Sequence, residues 1–176
     1  LHSDRAEYGK ALEFYQKSLA IERKQLGPNH PHVAISCNNI GLVYGNIGDY
    51  DKALEFYHQS LSIRKLTPDH PDVATSYNNI GTVHSKKGEY DKTLEYYQKA
   101  LDLWLKTLGP NHPKTAIGYS NIGSAHSEKG EYDKALEYHQ KALTIKLKEL
   151  GSDHPDVAIS YGNIGTVHHK KGKYDK

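Results

Sequence analysis

YNNIGTVHSKKG, residues Tyr77–Gly88, is written four times in this chain with small changes. It stands as CNNIGLVYGNIG from Cys37, as YSNIGSAHSEKG from Tyr119 and as YGNIGTVHHKKG from Tyr161. The glycines at its centre, Gly41, Gly81, Gly123 and Gly165, follow one another at 40, 42 and 42 residues. Two further signals keep the same step: a tyrosine at Tyr8, Tyr50, Tyr90, Tyr132 and Tyr174, and a His-Pro pair at His30, His70, His112 and His154. Self-similarity with a period of about 20 to 50 residues marks a linear array in which each unit touches only its neighbours.

Each period reads as two helices. The first opens at His-Pro, with Pro31, Pro71, Pro113 and Pro155 in the opening turn, where proline's fixed φ and missing N–H cost least. Asn29, Asp69, Asn111 and Asp153, just upstream, are the expected caps or turn-formers. Val73, Tyr77, Ile80, Val83 and His84 share one face, and the helix is expected to stop at Gly88, after Lys86 and Lys87. The second helix runs from Tyr90 as YDKTLEYYQKALDLWLKTLG, with an apolar stripe of Tyr90, Leu94, Tyr97 and Leu101. It ends at Leu108 and Gly109, as its counterpart ends at Gly151. The stretch Leu61–Pro71 is two residues short, and Thr67 and Pro68 predict a helix end about half a turn early.

A glycine inside a helix costs about 1 kcal/mol relative to alanine. Its recurrence within the first helix predicts close approach of the second helix at the small residues Ala53, Thr93 and Ala135. Neither helix is stable alone, so stacking must supply the core. Leu1–Lys10 aligns with Val83–Lys92, and Lys176 with Lys92, so the chain reads as four periods cut from a longer array. It is a single array over 1–176: a partial unit at 1–28, mainly a second helix; units at 29–68, 69–109 and 110–151; and a partial unit at 152–176, mainly a first helix. Apolar surface is expected at both ends, with self-association through them.

Composition narrows the function. A formal charge of +2 arises from interspersed acids and bases, with no basic block for nucleic acid. The single cysteine, Cys37, cannot form an internal bridge and points to a reducing compartment; it replaces a tyrosine at an apolar position and reads as packing. No apolar run reaches the roughly 18 residues of a membrane span, and no signal-peptide core opens the sequence, so a soluble, cytoplasmic protein without a membrane partner is expected. The chain has 12 histidines. Equivalent ones in adjacent units stand about 10 Å apart by helix packing, too far to share a metal at about 2 Å. His30 and its equivalents read as turn residues, and His84, His126 and His168 as substitutes for Tyr44 in the unit core. No nucleophile or acid pair recurs at a workable spacing, so neither catalysis nor a cofactor is expected. Trp104 stands where Arg23, Arg64 and Lys146 stand in other units and reads as convex or inter-unit surface.

Tyr77, Ile80, Gly81, His84, Tyr90, Thr93, Tyr97, Ala100 and Leu101 resemble the tetratricopeptide repeat (TPR). The usual period is about 34 residues; the longer one here resembles the kinesin light chain variety. The resemblance implies an all-α, right-handed superhelical solenoid of stacked antiparallel helix pairs, with first helices lining a concave groove. It also implies a non-enzymatic scaffold or adaptor that takes an extended or short helical peptide of a protein partner in that groove.

Carried over residue by residue, the resemblance places an asparagine ladder at Asn39, Asn79, Asn121 and Asn163, where a carboxamide donates to and accepts from one peptide unit whatever its side chain. Asn38 and Asn78 form a second, incomplete column, interrupted by Ser120 and Gly162. Leu42, Thr82, Ser124 and Thr166 are expected to face the groove one turn on, with Asn46, Lys86, Glu128 and Lys170 near the rim; Lys86 and Lys170 suggest acidic peptides. The carboxylate clamp of chaperone-binding relatives is absent. The competing reading of the Asn column is that it satisfies groups between units and never meets a ligand. A second functional reading is a regulatory, sensor or oligomerisation array of a larger protein whose catalytic or nucleotide-switch module lies elsewhere, and a third is a spacer between partners.

Overall fold

Helix starts and stops, repeated along the chain, set the element order. The computed structural model describes residues 2–174, with side chains from 7 to 173. Among these residues there are eight α-helices and no strand: α1 (His2–Leu26), α2 (Pro31–Ile47), α3 (Tyr50–Arg64), α4 (Pro71–Lys86), α5 (Tyr90–Leu108), α6 (Pro113–Glu128), α7 (Tyr132–Leu150) and α8 (Pro155–Tyr174). The even-numbered helices are first helices. Each packs most broadly on the second helix after it, as in α2 on α3, α4 on α5 and α6 on α7. The next contact of each is with the second helix before it. Leu1 and Lys176, and the side chain of Tyr174, lie outside the described residues.

Every first helix starts at its proline, but the cap is the histidine before it rather than the Asn or Asp one step further upstream. Nδ1 of His30, His70, His112 and His154 accepts the backbone N–H of His32, Asp72, Lys114 and Asp156 at 3.1–3.2 Å. His30, His70 and His112 have extended backbones, which bring the ring over the first turn and satisfy one of its orphan donors. At the other end, Gly88 takes φ 73° after α4 and Gly109 takes φ 89° after α5, as their positions predict.

Three helix ends depart from expectation. α3 has 15 residues against 19 in α5 and α7, a full turn short rather than half a turn. Both the backbone N–H and the hydroxyl of Thr67 donate to the Arg64 carbonyl, which closes the helix there. α1 is continuous from His2 to Leu26, with no break near residue 6, because Ala6 replaces the glycine a left-handed turn favours. α8 runs through Gly172. In earlier units the turn is clasped by a hydrogen bond between an imidazole and a carboxylate, His84 Nδ1 to Glu89 Oε2 at 2.9 Å and His126 Nδ1 to Glu131 Oε2 at 2.8 Å. The residue in the acid's place in the last unit is Lys173, which cannot make that clasp.

Within each pair the helices meet at the repeated glycine. A Cβ on Gly41 would lie 2.9 Å from the Tyr57 ring, and one on Gly81 2.7 Å from the Tyr97 ring. One on Gly123 would lie 3.0 Å from the His139 ring. The close approach is as expected, but an aromatic ring occupies the space more than the small residues Ala53, Thr93 and Ala135. The Tyr44 position also behaves as read: Tyr44 stacks on Phe56, His84 on Tyr96 and His126 on Tyr138 at 5.4–5.7 Å. His168 is exposed and makes no such stack.

Between pairs, the end of each second helix reaches into the next first helix. Arg64 Nη1 donates to the Asp72 carbonyl and to Ser76 Oγ, both at 3.0 Å. Lys146 Nζ does the same to the Asp156 carbonyl at 3.4 Å and to Ser160 Oγ at 3.1 Å. Arg23 bonds instead to Gln59 Oε1 at 2.8 Å and lies 3.9 Å from the buried Cys37 thiol, whose pKa is raised by burial. Trp104 holds the same position. It is not on the convex surface but buried at the junction between units: only 2% of it is exposed, and it packs among Ala74, Ala100, Tyr77, Leu103 and Leu108. The serine opposite has become Gly118, where a Cβ would come within 3.3 Å of the indole and 3.2 Å of Leu101. One junction thus exchanges a cation–serine bond for an indole seated on a glycine.

That exchange predicts coupled substitutions. Trp104→Arg alone strands a cation opposite Gly118 and should cost about 2–4 kcal/mol. Gly118→Ser alone presses on the indole and should cost about 1–3 kcal/mol. In urea denaturation the double variant should recover at least about 1 kcal/mol of that sum, whereas additivity within about 0.5 kcal/mol would contradict the pairing.

Candidate functional site

The first helices hold the repeated asparagines at one phase, so adjacent helices bring equivalent carboxamides together. Asn79 Nδ2 donates to Asn38 Oδ1 at 2.8 Å, and Asn121 Nδ2 donates to Asn78 Oδ1 at 2.7 Å. The two columns are therefore joined into rungs, each linking one unit to the next. All six, Asn38, Asn39, Asn78, Asn79, Asn121 and Asn163, are half-buried. Each rung uses one amide proton and one acceptor, so Asn79 and Asn121 keep a second N–H and their carbonyl lone pairs. The third rung is missing: Ser120 stands where an asparagine would accept from Asn163, and the Ser120 hydroxyl is buried without a partner.

The other expected groove residues are dispersed in role. The Thr82 hydroxyl donates to the Asn78 carbonyl at 3.0 Å and lies 3.1 Å from the Tyr97 hydroxyl, so it ties its helix to the second helix behind it. Thr166 is exposed and donates to the Gly162 carbonyl at 2.9 Å. Ser124 and Lys86 are exposed. Lys170 is matched by Glu128 at 2.8 Å across the last junction. Ser124, Asn163, Thr166 and Lys170 converge on one cavity of about 190 Å³, completed by Ser127, Glu128, His139 and Val167.

Lys87, expected only to mark the end of its helix, and its equivalents Lys129 and Lys171 do more. Lys87 pairs with Asp51 at 2.8 Å and Lys129 with Asp91 at 2.7 Å, and Lys171 pairs with Asp133. Each pair links the end of a first helix to the first turn of the preceding second helix. The available signal was the near-constant step between that lysine and the aspartate of Tyr-Asp one unit earlier, 36 residues in the first case and 38 in the next two. Beside this ladder, the Glu131 carboxyl is held at a pKa of about 2 by its bonds to Lys134 and then to His126. Glu89 is likewise lowered, by Lys92 and then His84. Among the described residues no three His, Cys, Asp or Glu side chains gather as metal ligands, and no helix is long and apolar enough to cross a membrane.

The broken rung gives a direct test. Ser120→Asn should rebuild the bond to Asn163 and raise stability by about 0.5–1.5 kcal/mol in thermal unfolding. The same substitution in an Asn163→Ala background should yield nothing. No gain in the otherwise unchanged chain would contradict the register.

The geometry agrees with solved structures. BtubC (BKLC) from P. vanneervenii superposes with a TM-score of 0.84 at 24% identity, over 98% of this chain and 70% of that one. A Podosopora anserina protein of the kinesin light chain type, with nearly identical TPR-like repeats, gives 0.80 at 22% identity over 97% and 82%. The apo form of RapI gives 0.79 at 19% identity over 97% and 46%. At these identities the likeness shows the fold, an all-α superhelical repeat array. Among curated proteins, no relative matches. The sequence profile of the tetratricopeptide repeat matches residues 1–66, 38–92, 72–148 and 119–176. Such repeats generally mediate protein–protein interactions and serve as scaffolds rather than catalysts. With that match running from end to end, the chain belongs to the tetratricopeptide repeat family.

Proposed function

We propose that this array is a non-enzymatic scaffold whose first-helix wall binds an extended or short helical segment of another cytoplasmic protein. The observation that carries the reading is the line of half-buried carboxamides at Asn39, Asn79, Asn121 and Asn163, whose hydrogen-bonding capacity exceeds what the rungs consume. A peptide backbone offers matching donors and acceptors. Thr82, Ser124 and Thr166 stand one turn further on. Lys170 is neutralised by Glu128, so Lys86 is the cation of this group left to favour an acidic residue of the ligand. Exposed Phe14 and Ile21 on α1, and Ile159 and Tyr161 on α8, are the surfaces through which copies would associate.

The test separates binding from unit cohesion. Asn79 and Asn121 hold adjacent units together, so substituting them would perturb both. Asn39 and Asn163 take no part in the rungs. Decapeptides selected from a random phage-displayed library should lose about 2- to 10-fold in affinity for each of Asn39→Ala and Asn163→Ala that they reach, with the melting temperature unchanged. Selected peptides whose affinity both substitutions leave intact would remove the carboxamide line from the account.

A further inference from the structure

We propose that the cavity between α6, α7 and α8 is a subsite for one uncharged donor–acceptor side chain, an asparagine or glutamine carboxamide, of a bound polypeptide. This rests on the reading of the first-helix wall as a binding surface.

The cavity exists because of a local change in the repeat. In the preceding unit the ring over the glycine is Tyr97, whose phenol extends to 3.1 Å from the Thr82 hydroxyl and closes the space between first and second helices. At the next unit the ring is His139 and the threonine is Ser124. Both are smaller, and the imidazole ends where the phenol would continue. The space left is about 190 Å³, room for several waters at about 30 Å³ each or for one short polar side chain.

Its lining is mostly polar, and several of its side chains make no hydrogen bond within the protein. His139 is only 2% exposed, lines the cavity, and has no hydrogen bond at either ring nitrogen. Asn163 lacks the rung that Asn79 and Asn121 make, because Ser120 stands where an asparagine would accept. The Ser127 side chain is also buried and lines the same space. Their polar atoms are not among the fully enclosed, partnerless ones, Glu22 Oε2, Trp104 Nε1 and Ser120 Oγ, so they meet solvent through the cavity, and an occupant that displaces that solvent must complete their hydrogen bonds.

The charges at the mouth select the occupant's class. Lys170 and Glu128 are paired at 2.8 Å, so the opening carries no net charge and gives a carboxylate or an ammonium little advantage. Burial lowers the His139 pKa, with the nearby Lys146 charge acting in the same direction. A neutral imidazole offers one donor and one acceptor, the serine hydroxyls offer either, and the Asn163 amide offers both. The Thr166 hydroxyl proton is already given to Gly162, so that oxygen is an acceptor. A carboxamide presents two N–H groups and a carbonyl to this mixed set, and an aliphatic side chain would leave it unsatisfied.

Two measurements separate this subsite from the wall. In the first, the 176-residue protein is titrated with N-acetyl-asparagine amide and, separately, N-acetyl-aspartate amide, following the His139 imidazole resonances by NMR. The asparagine derivative should shift them with a Kd on the order of 10 mM, and the aspartate derivative at least about 5-fold more weakly. No shift, or equal responses, would overturn the subsite whatever the wall does. In the second, the library-selected decapeptides should show asparagine or glutamine at one position. His139→Tyr, whose ring has a precedent over Gly81, should weaken those peptides about 10-fold and leave carboxamide-free binders unchanged. Equal affinity for both proteins would refute the subsite while leaving wall binding intact; a library without binders would refute both readings.

Discussion

The contact on which the structure depends is a ring packed against a helix at a position without a side chain. Gly41 and Gly81 let the rings of Tyr57 and Tyr97 come nearer than a Cβ would permit, and Gly123 admits the His139 ring at the tight limit of Cβ contact. This sets the separation of the two helices in a unit, and the buried Ile40, Ile80 and Ile122 sit in the cores beside that approach. The helix-propensity cost of glycine, about 1 kcal/mol, is offset by the burial of a whole aromatic side chain, which is worth about 1.5–3 kcal/mol. Where the partner ring is absent, at Gly165, a Cβ would meet nothing within 4 Å.

Units are then joined by three inter-unit devices of different chemistry. Carboxamide rungs run along the first helices, lysine–aspartate pairs tie first-helix ends to preceding second helices, and a cation or an indole crosses from the end of each second helix. The exposed ion pairs contribute little energy on their own. Their repetition, with the geometric demands of the rungs, favours one register among those a periodic sequence permits. The chain's individuality lies in its departures from periodicity. Ser120, Ser124 and His139 fall together at the last junction, and there a polar cavity opens.

Much of the fold was legible because its signals are local. The period, the proline at each first-helix start and the glycine at most helix ends are read within a few residues, and each has a physical reason attached. The apolar faces follow from helical spacing alone. The shortfall of α3, the capping role of the histidines and the continuity of α1 were only partly legible, since each depends on which of two neighbouring groups reaches the backbone first. The links between units were not. Asn79 to Asn38, Lys87 to Asp51 and Trp104 to Gly118 join residues whose meeting is set by the offset between stacked helices, which one period does not encode. Trp104 is the clearest case. Its neighbours along the chain resemble those of Arg64, and only the loss of the serine at Gly118 signals that an indole is buried there.

The measurement that bears most directly on the ring-and-glycine constraint compares two chemically identical substitutions in this 176-residue chain. Gly81→Ala would place a Cβ 2.7 Å from Tyr97. It should lower stability by about 1–3 kcal/mol despite alanine's better helix propensity. Gly165→Ala meets open space and should raise stability by up to about 1 kcal/mol. Opposite signs in equilibrium unfolding are the predicted result; a Gly81→Ala chain as stable as its Gly165→Ala counterpart would contradict the account.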